Sequence, residues 1–468
     1  MNKPVECNLV PDHLQERLTR YALDLDYGNI SDAAIHAAKV RIIDTMGALV
    51  SGFFDEPSQL ARSMAGDLPF SAGVSVIGTR MKTTVEMAAF ANSIASRSVE
   101  INDIAHKPGG RNGHPSDVIA PLLSVAELMH TNGRDYIAGI VLAYEVYLRL
   151  AESITSPSFD LANFGCLGTA ATAGKLMKLT HEQLAQCISI AATANNGLTQ
   201  TRIAPLSMWK AVASGEAARA GVFAALMARK GIEGPNRPFE GKHGWCTHIA
   251  AKQIALETMG GGDVPYRIQD TIIKPRASCF LTLPHILAAE KASGAIKGGI
   301  KNIKHVVVET YEQSRAHCGV GEAWWNPDTR DTADHSIPYT VAAALMDGWV
   351  DQHSFDDDKL WNPDLRALLA KVEVVEDKEF TRVYGQMPVE YRTRVVVTTV
   401  DGERIVGESG GEHGGLAEPW SDEQISDKFR GLTEDVLGAK RANAILERLW
   451  NLDDMKDVAD LPPAFIFI

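Results

Sequence analysis

The hydrophobic pattern of this chain changes its period about halfway along, at a run of three glycines and an aspartate at 260–263. From Leu14 to about Lys252, apolar residues recur at the three- and four-residue spacing of buried helix faces. After the break, short runs rich in β-branched residues indicate strands, and Asp401-Gly402 between the last two is a hairpin signal. These runs lie at 303–310, 372–376, 394–400 and 403–408.

Helical patterns resume near Asp422, after a glycine-rich loop at 407–415. At 468 residues the chain is also too long for one compact core. We therefore predict a mainly α protein, with a large all-helical domain built from both chain ends and a smaller α+β domain inserted between them. The predicted boundaries are 1–271, 272–416 and 417–468. The apolar end at 464–468 is expected to dock onto the fold.

The net charge and the cysteine pattern of the chain limit its possible partners and its cellular compartment. The net charge of −13 argues against a nucleic-acid partner, because phosphate binding needs a basic face. The six cysteines are scattered without a Cys-x-x-Cys pair, which is typical of a reducing compartment. No apolar signal segment opens the chain, and Glu145 interrupts its most apolar run, at 137–150. We expect a cytoplasmic protein without a membrane partner, and a buried, paired Glu145.

The interhelical stretch 98–117 is dense in titratable groups. A loop of this kind between two helices is a frequent place for chemistry, although a solvated loop is the plain alternative. Ser116 or Asp117 is expected to cap the helix that follows. The titratable residues are Glu100, Asp103, His106, Lys107, Arg111 and His114.

Three further candidates lie outside that stretch. Lys210 lies among small apolar residues, and Lys274 lies at the predicted domain junction, where ligand sites are often found. A snorkelling lysine and an exposed linker lysine are their respective alternatives. Tyr339 lies in a predicted helix, where a core tyrosine is the usual case.

Common cofactor and metal motifs do not fit this chain. Its glycine runs match neither a phosphate-binding loop nor a dinucleotide fingerprint. His243, Cys246 and His248 are close in sequence, but their spacing fits no common zinc site. We therefore predict neither a cofactor nor a metal.

Several stretches together give the chain a resemblance to the MmgE/PrpD family over nearly its whole length. That family includes 2-methylcitrate dehydratase, cis-aconitate decarboxylase and iminodisuccinate epimerase. The resemblance implies a helical domain with an α+β lid, a cofactor-free site between them, homodimers, and small di- or tricarboxylate substrates. The stretches are 41–47, Asn102-Asp103, Gly113-His-Pro-Ser-Asp117, the surroundings of Lys210, 234–244, Lys274 with Cys279 and Pro284, and 334–348.

The resemblance also assigns site residues. His114 matches the family's catalytic histidine, Lys210 and Lys274 its two lysines, and Tyr339 its tyrosine. Asp103 keeps its place, whereas Glu100 stands where the motif usually has Asp and Ile104 where it usually has Thr or Ser. A histidine that the resemblance leads us to expect near 159–161 is absent. Leu283 stands where many family members have another histidine, and His285 is close to that position but does not align with it.

The implied chemistry moves a proton next to a carboxylate. His114 is the expected acid or base, and Glu100 or Asp103 would orient it or serve as the second group. The Gly-His-Pro-Ser-Asp form is more similar to the dehydratase branch, so the leading expectation is a hydro-lyase acting on a 2-methylcitrate-like hydroxy acid. An epimerase or isomerase and a decarboxylase are alternatives, and a catalytically silent carboxylate-binding protein is another.

Overall fold

The computed structural model describes residues 11–106, 113–154, 158–416 and 418–468. Lys107 and Arg111, two of the predicted titratable loop residues, lie outside these ranges. The described chain is mainly helical with two small sheets, so the predicted fold class is confirmed.

The helical part is built from both chain ends. A short hairpin of two strands, β1 (Pro69–Ser75) and β2 (Lys82–Thr83), flanks it. The helices are α1 (His13–Asp24), α2 (Asp32–Ser51), α3 (Glu56–Gly66), α4 (Val85–Arg97), α5 (Ile119–Leu128), α6 (Gly133–Glu152), α7 (Ala162–Leu176), α8 (His181–Ala194), α9 (Trp209–Arg229) and α10 (Trp245–His248). From the other chain end come α19 (Asp422–Leu437) and α20 (Ala439–Trp450).

Small residues allow three of these helices to pack with almost no gap. A Cβ on Gly168 of α7 would lie 2.8 Å from the carbonyl oxygen of Ala143 in α6. A Cβ on Gly221 of α9 would lie 2.7 Å from the carbonyl oxygen of Cys166 in α7. The glycines of α7 and α9 therefore let these helices approach their neighbours backbone to backbone.

The lid is organised around a four-stranded sheet of order β4–β3–β5–β6. β3 (Ile303–Thr310) pairs in parallel with β4 (Val372–Glu376), and antiparallel pairs join β3 to β5 (Thr393–Thr399) and β5 to β6 (Arg404–Ser409). The predicted strands and hairpin are confirmed. The lid helices are α11 (Leu283–Ser293), α12 (Glu312–Cys318), α13 (Glu322–Trp325), α14 (Arg330–Ala333), α15 (Ile337–Asp347), α16 (Asp357–Leu360), α17 (Pro363–Leu369) and α18 (Lys378–Tyr384).

Two hydrophobic cores accompany these two parts of the chain. The larger core draws on residues 14–273 and 425–465, and the lid core on residues 280–416. Ile104 is the exception, because it belongs by sequence to the helical part but packs in the lid core. The exact domain boundaries stay a prediction.

The last part of the chain, from α19 onward, packs against the helical part at two places. α19 packs on α2, where Gly47 lets the Leu432 and Phe429 side chains come close. At the chain end Phe465 is fully buried, and the Phe467 backbone N–H donates to the Gly78 carbonyl at 3.0 Å. The predicted docking of the apolar end is confirmed.

Two long apolar helices of the first part, α9 and α6, are largely buried in the protein. α9 is long and apolar enough to span a membrane by length and composition, and 61% of its most apolar window is buried inside the protein. In α6, Glu145 accepts from Arg149 Nε at 2.6 Å and from the Gly260 backbone N–H at 2.6 Å. The predicted buried, paired Glu145 is therefore confirmed.

Candidate active site

The stretch 98–117 connects the helical part to the lid. α4 ends at Arg97, and Glu100 turns the chain with a φ of 53°, a left-handed conformation uncommon for a residue with a Cβ. Ile104 then exchanges two backbone hydrogen bonds with Ile272, at 2.9 and 2.8 Å. Because its side chain is buried in the lid core, Ile104 fixes the stretch to both parts of the fold.

His114 immediately precedes a short 3₁₀ turn, Pro115–Val118, that leads into α5. Ser116 and Asp117 do not cap this helix start, so that prediction is wrong. Their side chains form a buried polar network instead: Ser116 Oγ accepts from Asn102 Nδ2 at 3.0 Å, and Asp117 accepts from Ser214 Oγ at 2.6 Å. The network makes the orientation of the turn depend on α9.

Asp103 and Gly113 position His114 from two sides. The imidazole Nδ1 lies 3.0 Å from the Asp103 backbone carbonyl, and the Asp103 side chain accepts from Ser116 N–H at 3.3 Å and Tyr144 hydroxyl at 3.1 Å. Gly113 lies against Tyr147, where a Cβ would be 2.4 Å from the phenol oxygen. Asp103 therefore holds the histidine through its backbone, with its carboxylate already engaged.

The Glu100 carboxylate is the centre of the site. It is ion-paired with Arg97, lies 3.0 Å from Lys274 Nζ and 3.3 Å from Lys210 Nζ, and is 3.6 Å from His114 Nε2. All five side chains are buried. The site therefore holds one carboxylate among three cations and a histidine, and we call these five residues the Glu100 cluster.

Lys210 joins the Glu100 cluster to the lid. It lies at the start of α9, and its Nζ is 3.4 Å from the Asp334 carboxylate, 3.5 Å from Asp331 and 3.5 Å from His335 Nδ1. Its side chain is only 3% exposed, which rules out the snorkelling alternative. The lysine is held by acids from both parts of the fold.

Lys274 is the most deeply buried cation of the site. Its ammonium group donates to the Glu100 backbone carbonyl at 3.0 Å and to the Ser278 carbonyl at 3.1 Å, besides the Glu100 carboxylate. Its side chain is fully buried, so it is not an exposed linker lysine. Every proton of the ammonium group has an acceptor.

Charge and burial set the protonation states. Burial alone would raise the pKa of Glu100, but Arg97, Lys210 and Lys274 hold it well below its ordinary value. Burial, together with the charges of Arg97 and Lys274, lowers the pKa of His114 well below 6.5. At neutral pH the site therefore contains a carboxylate and a neutral imidazole.

The pKa values of the two lysines are shifted in opposite directions. Burial would lower the pKa of Lys210, but Asp334 and Glu100 outweigh it and raise the pKa above the ordinary lysine value. Burial lowers the pKa of Lys274, and Arg97 lowers it further. Lys210 is thus a permanent positive charge, whereas Lys274 gives up a proton more readily than an ordinary lysine.

His106 does not reach the Glu100 cluster, because its two ring nitrogens lie 2.8 Å from the hydroxyl groups of Tyr391 and Tyr384. Tyr339 does not reach the cluster either. Its hydroxyl donates to the Ser354 carbonyl at 2.9 Å, and its ring stacks on Phe355, so its described contacts lie within the lid core. His285 is likewise buried in the lid, 2.8 Å from Thr310 Oγ1. The catalytic roles of the residues that do come together stay predictions.

Four charged neighbours of the site were not predicted from the sequence. Arg97 lies in the last turn of α4, one helical turn before Glu100, and a basic residue ending an apolar helix was the available signal. Asp334 and His335 directly precede α15, in the same stretch, 334–348, that carries the resemblance and Tyr339. Asp331 lines an adjacent cavity of about 530 Å³, which brings solvent close to Lys210.

Comparison with known proteins matches two domain models of one family to this chain. Residues 16–256 match the MmgE/PrpD N-terminal domain, and residues 277–452 match the MmgE/PrpD C-terminal domain.

Individual relatives are distant but similar over most of their length. Cis-aconitate decarboxylase of Aspergillus terreus is 26% identical over 82% of this chain and 82% of its own. Cis-aconitate decarboxylase of Homo sapiens is 25% identical over 93% and 91%, respectively. 2-Methylcitrate dehydratase of Salmonella typhimurium is 22% identical over 81% of each chain. With both domain models matched in order over most of its length, this chain belongs to the MmgE/PrpD family.

Proposed function

We propose that this chain is a lyase that dehydrates a 2-methylcitrate-like hydroxy di- or tricarboxylate, with His114 as the base. The names of its relatives support a lyase, since they include both dehydratases and decarboxylases. The observation that carries the proposal is the Glu100 cluster, in which a neutral histidine faces a carboxylate held by two lysines.

The Glu100 carboxylate indicates what the site can bind. It lies between Lys210 and Lys274, and in our proposal a substrate carboxylate uses the same position. Ammonium groups at hydrogen-bond distance would stabilise the negative charge that builds up on a carboxylate when the neighbouring carbon loses a proton. In our proposal the substrate competes with Glu100 for these lysines.

The hydrogen bonding of His114 defines its role. Nδ1 lies 3.0 Å from the Asp103 carbonyl, which can only accept, so Nδ1 carries the proton. This tautomer leaves the lone pair on Nε2, the atom that faces Glu100 at 3.6 Å. A neutral imidazole in this orientation is suited to take a proton from the carbon next to a bound carboxylate.

Loss of water also needs a proton donor for the leaving hydroxyl group. Lys274 is suited to this step, because burial and Arg97 lower its pKa and make its ammonium a better acid than that of an ordinary lysine. Lys210, whose pKa is raised, would keep its charge and hold the carboxylate throughout. The cluster thus offers a base, an acid and a fixed cation.

Decarboxylation of an unsaturated tricarboxylate is the second candidate, because several relatives carry the name cis-aconitate decarboxylase. Loss of carbon dioxide leaves a carbanion that must be protonated, so this reaction needs a charged acid above the carbon. Lys274 would supply that proton as well, so the preference for dehydration rests on His114, whose lowered pKa keeps the imidazole neutral and free to take a proton at neutral pH. Epimerisation and binding without turnover are the remaining outcomes.

The test uses purified, chelator-treated protein with 2-methylcitrate, citrate and cis-aconitate offered separately. Dehydration gives an increase in alkene absorbance with the hydroxy acids, whereas release of carbon dioxide from cis-aconitate alone would overturn the proposal. Exchange of solvent label into substrate without net change would indicate an epimerase. A ligand-induced melting shift without any chemical change would indicate a binding protein.

His114→Gln tests the assignment of the base. Glutamine keeps an N–H for the Asp103 carbonyl but cannot accept the substrate proton, so turnover should fall by roughly a hundredfold or more. The matched control is His130→Gln, which alters an exposed histidine paired with Asp457. Equal turnover in the parent and His114→Gln would remove His114 from the mechanism.

A further inference from the structure

Another cavity lies between the helical part and the lid, on a different set of residues from the Glu100 cluster. It has a volume of about 570 Å³, which is within the range typical of small-molecule sites. Its walls come from the start of α2, the segment 269–273, the lid residues 387–389, and the chain at 418–420 that leads into α19. A ligand here would contact both parts of the fold without entering the candidate active site.

Most of this cavity wall is apolar. Val40 and Ile272 line it from the helical part, Pro388 from the lid, and Trp420 from the chain that leads into α19. Val40 is buried, whereas Met387 at the lid edge is exposed, so the wall extends from the interior of the protein to its surface. Such a wall favours a ligand with an apolar body, because burial removes that body from water.

Arg41 is the buried charge in this wall. Its side chain lines the cavity and the residue is only 8% exposed. The guanidinium donates to the Thr271 hydroxyl at 2.9 Å, to the Thr271 carbonyl at 2.7 Å and to the Ala37 carbonyl at 3.4 Å. These acceptors are neutral, and each terminal nitrogen keeps an N–H without an acceptor among the described residues.

Among the residues that the structure describes, no acid forms an ion pair with Arg41. Asp44, one turn further along α2, is paired with Lys428 at 2.5 Å, and the Asp103 carboxylate is engaged beside His114. A buried charge that lacks a directly paired opposite charge carries a cost of desolvation. An anion bound in the cavity would offset that cost.

Two acids at the rim of the cavity do not supply this negative charge. Asp270 and Glu418 also line the cavity, but both are exposed, and Asp270 is paired with Arg267 at 2.8 Å. Water and salt screen exposed charges, whereas a buried charge is screened much less. The negative group of a ligand therefore belongs at the buried end of the cavity, beside Arg41.

We propose that this cavity is a binding site for a small carboxylic acid with an apolar body, whose carboxylate is held by Arg41. A planar guanidinium matches the geometry of a carboxylate and can hold it through two parallel hydrogen bonds. The apolar wall takes the rest of the ligand. The inference concerns a separate site, so it does not depend on the proposed lyase activity.

Calorimetric titration of the full-length protein with hexanoate, hexan-1-ol and hexylamine tests the chemistry of the ligand. The three compounds share one apolar chain and differ in the charge of the head group. Hexanoate should bind about tenfold more tightly than hexan-1-ol, because charge-assisted hydrogen bonds are stronger than neutral ones. Hexylamine should bind more weakly than either. No binding of hexanoate, or equal binding of all three compounds, would overturn the proposal.

Arg41→Gln tests the residue that holds the carboxylate. Glutamine keeps an N–H for the Thr271 carbonyl but carries no charge, so hexanoate should bind about tenfold more weakly and hexan-1-ol as in the parent. Arg80→Gln is the matched control, because Arg80 is exposed and lies outside the cavity wall. Equal hexanoate affinity in the parent and Arg41→Gln would place the ligand elsewhere, for example at the Glu100 cluster.

Ala33→Leu tests the cavity without changing a buried residue. Ala33 is exposed in the first turn of α2 and lines the cavity, so a larger side chain there should weaken hexanoate and hexan-1-ol alike. Ala439→Leu, at an exposed alanine in the first turn of α20, is the matched control and should bind both compounds as the parent does. This pair decides the question even where Arg41→Gln fails to fold, and unchanged hexanoate affinity in Ala33→Leu would contradict the assignment.

Discussion

At the scale of single residues, the site depends on how Glu100 shares its charge. The Glu100 carboxylate is paired with Arg97, Lys210 and Lys274, and the Glu100 backbone carbonyl also accepts from Lys274. Asp117 and Asp334 are further acidic partners of Arg97 and Lys210, respectively. Buried cations that lose their partner carry the full cost of desolvation. Substitutions in the Glu100 cluster are therefore expected to lower the melting temperature as well as to change activity.

Glu100→Gln should lower stability and strengthen carboxylate binding. Loss of the buried charge takes one acid from Arg97 and from Lys210 and leaves Lys274 without an acid among the described ion pairs, which should cost about 3 kcal/mol or more in unfolding free energy. The same change removes the competitor for the two lysines, so citrate should raise the melting temperature of the variant more than that of the parent. Calorimetry with and without citrate measures both effects.

Glu312→Gln is the matched control, because Glu312 and Arg315 also form a pair three residues apart in a helix but lie near the surface. Its melting temperature and its response to citrate should stay close to those of the parent. A Glu100→Gln variant that gains nothing from citrate would show that the two lysines do not receive a ligand carboxylate.

At the scale of secondary structure elements, the helical part depends on close packing of α6, α7 and α9. Glycines at the crossing points bring backbone against backbone, and α9 in turn carries Lys210 and the Ser214 hydroxyl that holds Asp117. Protein interiors are packed closely enough that one added methyl group is felt. The position of the site lysine therefore depends on contacts far from the site.

Gly168→Ala should destabilise the protein by about 1–3 kcal/mol, because the added Cβ would meet the Ala143 carbonyl oxygen at 2.8 Å. Gly431→Ala is the matched control in α19, since nothing lies within 4 Å of its added Cβ. That substitution should stabilise by about 0.5–1 kcal/mol, because alanine loses less entropy than glycine in a helix. Chemical denaturation of both variants distinguishes them, and equal effects would contradict the packing account.

At the scale of the whole molecule, buried neutral histidines make stability depend on pH. Burial lowers the pKa of His106 to about 4 and that of His285 to about 3. Between these pKa values and the histidine pKa of 6.5 in the unfolded chain, the unfolded state binds more protons than the folded state. The stability that these histidines contribute is therefore present above pH 6.5 and is lost as the pH falls. His335 and Asp117, with pKa values raised to about 9 and about 6, act in the opposite direction.

The difference between parent and variant isolates one histidine. His285→Gln should be less stable than the parent near neutral pH, and the deficit should shrink by about 1 kcal/mol between about pH 7 and about pH 5.5, because only the parent must keep a buried imidazole neutral. Denaturation curves at both pH values measure it. A deficit that is constant with pH would mean that His285 takes up its proton in the folded state.

Local pattern was sufficient for most of the fold. The helical first part, the four lid strands with their hairpin, and the return of the chain near Asp422 all follow from periodicity and turn residues, which act over a few neighbours. The helix start at Ser116 was mistaken because a side chain that can cap a helix locally was drawn into a tertiary hydrogen bond with Asn102.

The sequence by itself determined which residue types could carry the chemistry, since Glu100, Asp103, His114, Lys210 and Lys274 were all identifiable from their context and from the resemblance. Only the tertiary structure decided how they are charged. Arg97, Asp334 and His335 come to the site from separate elements, and Tyr339 turns into the lid core. Burial and pairing depend on residues far apart in the chain, so the protonation of His114 and Lys274 follows from the fold and not from their neighbours in sequence.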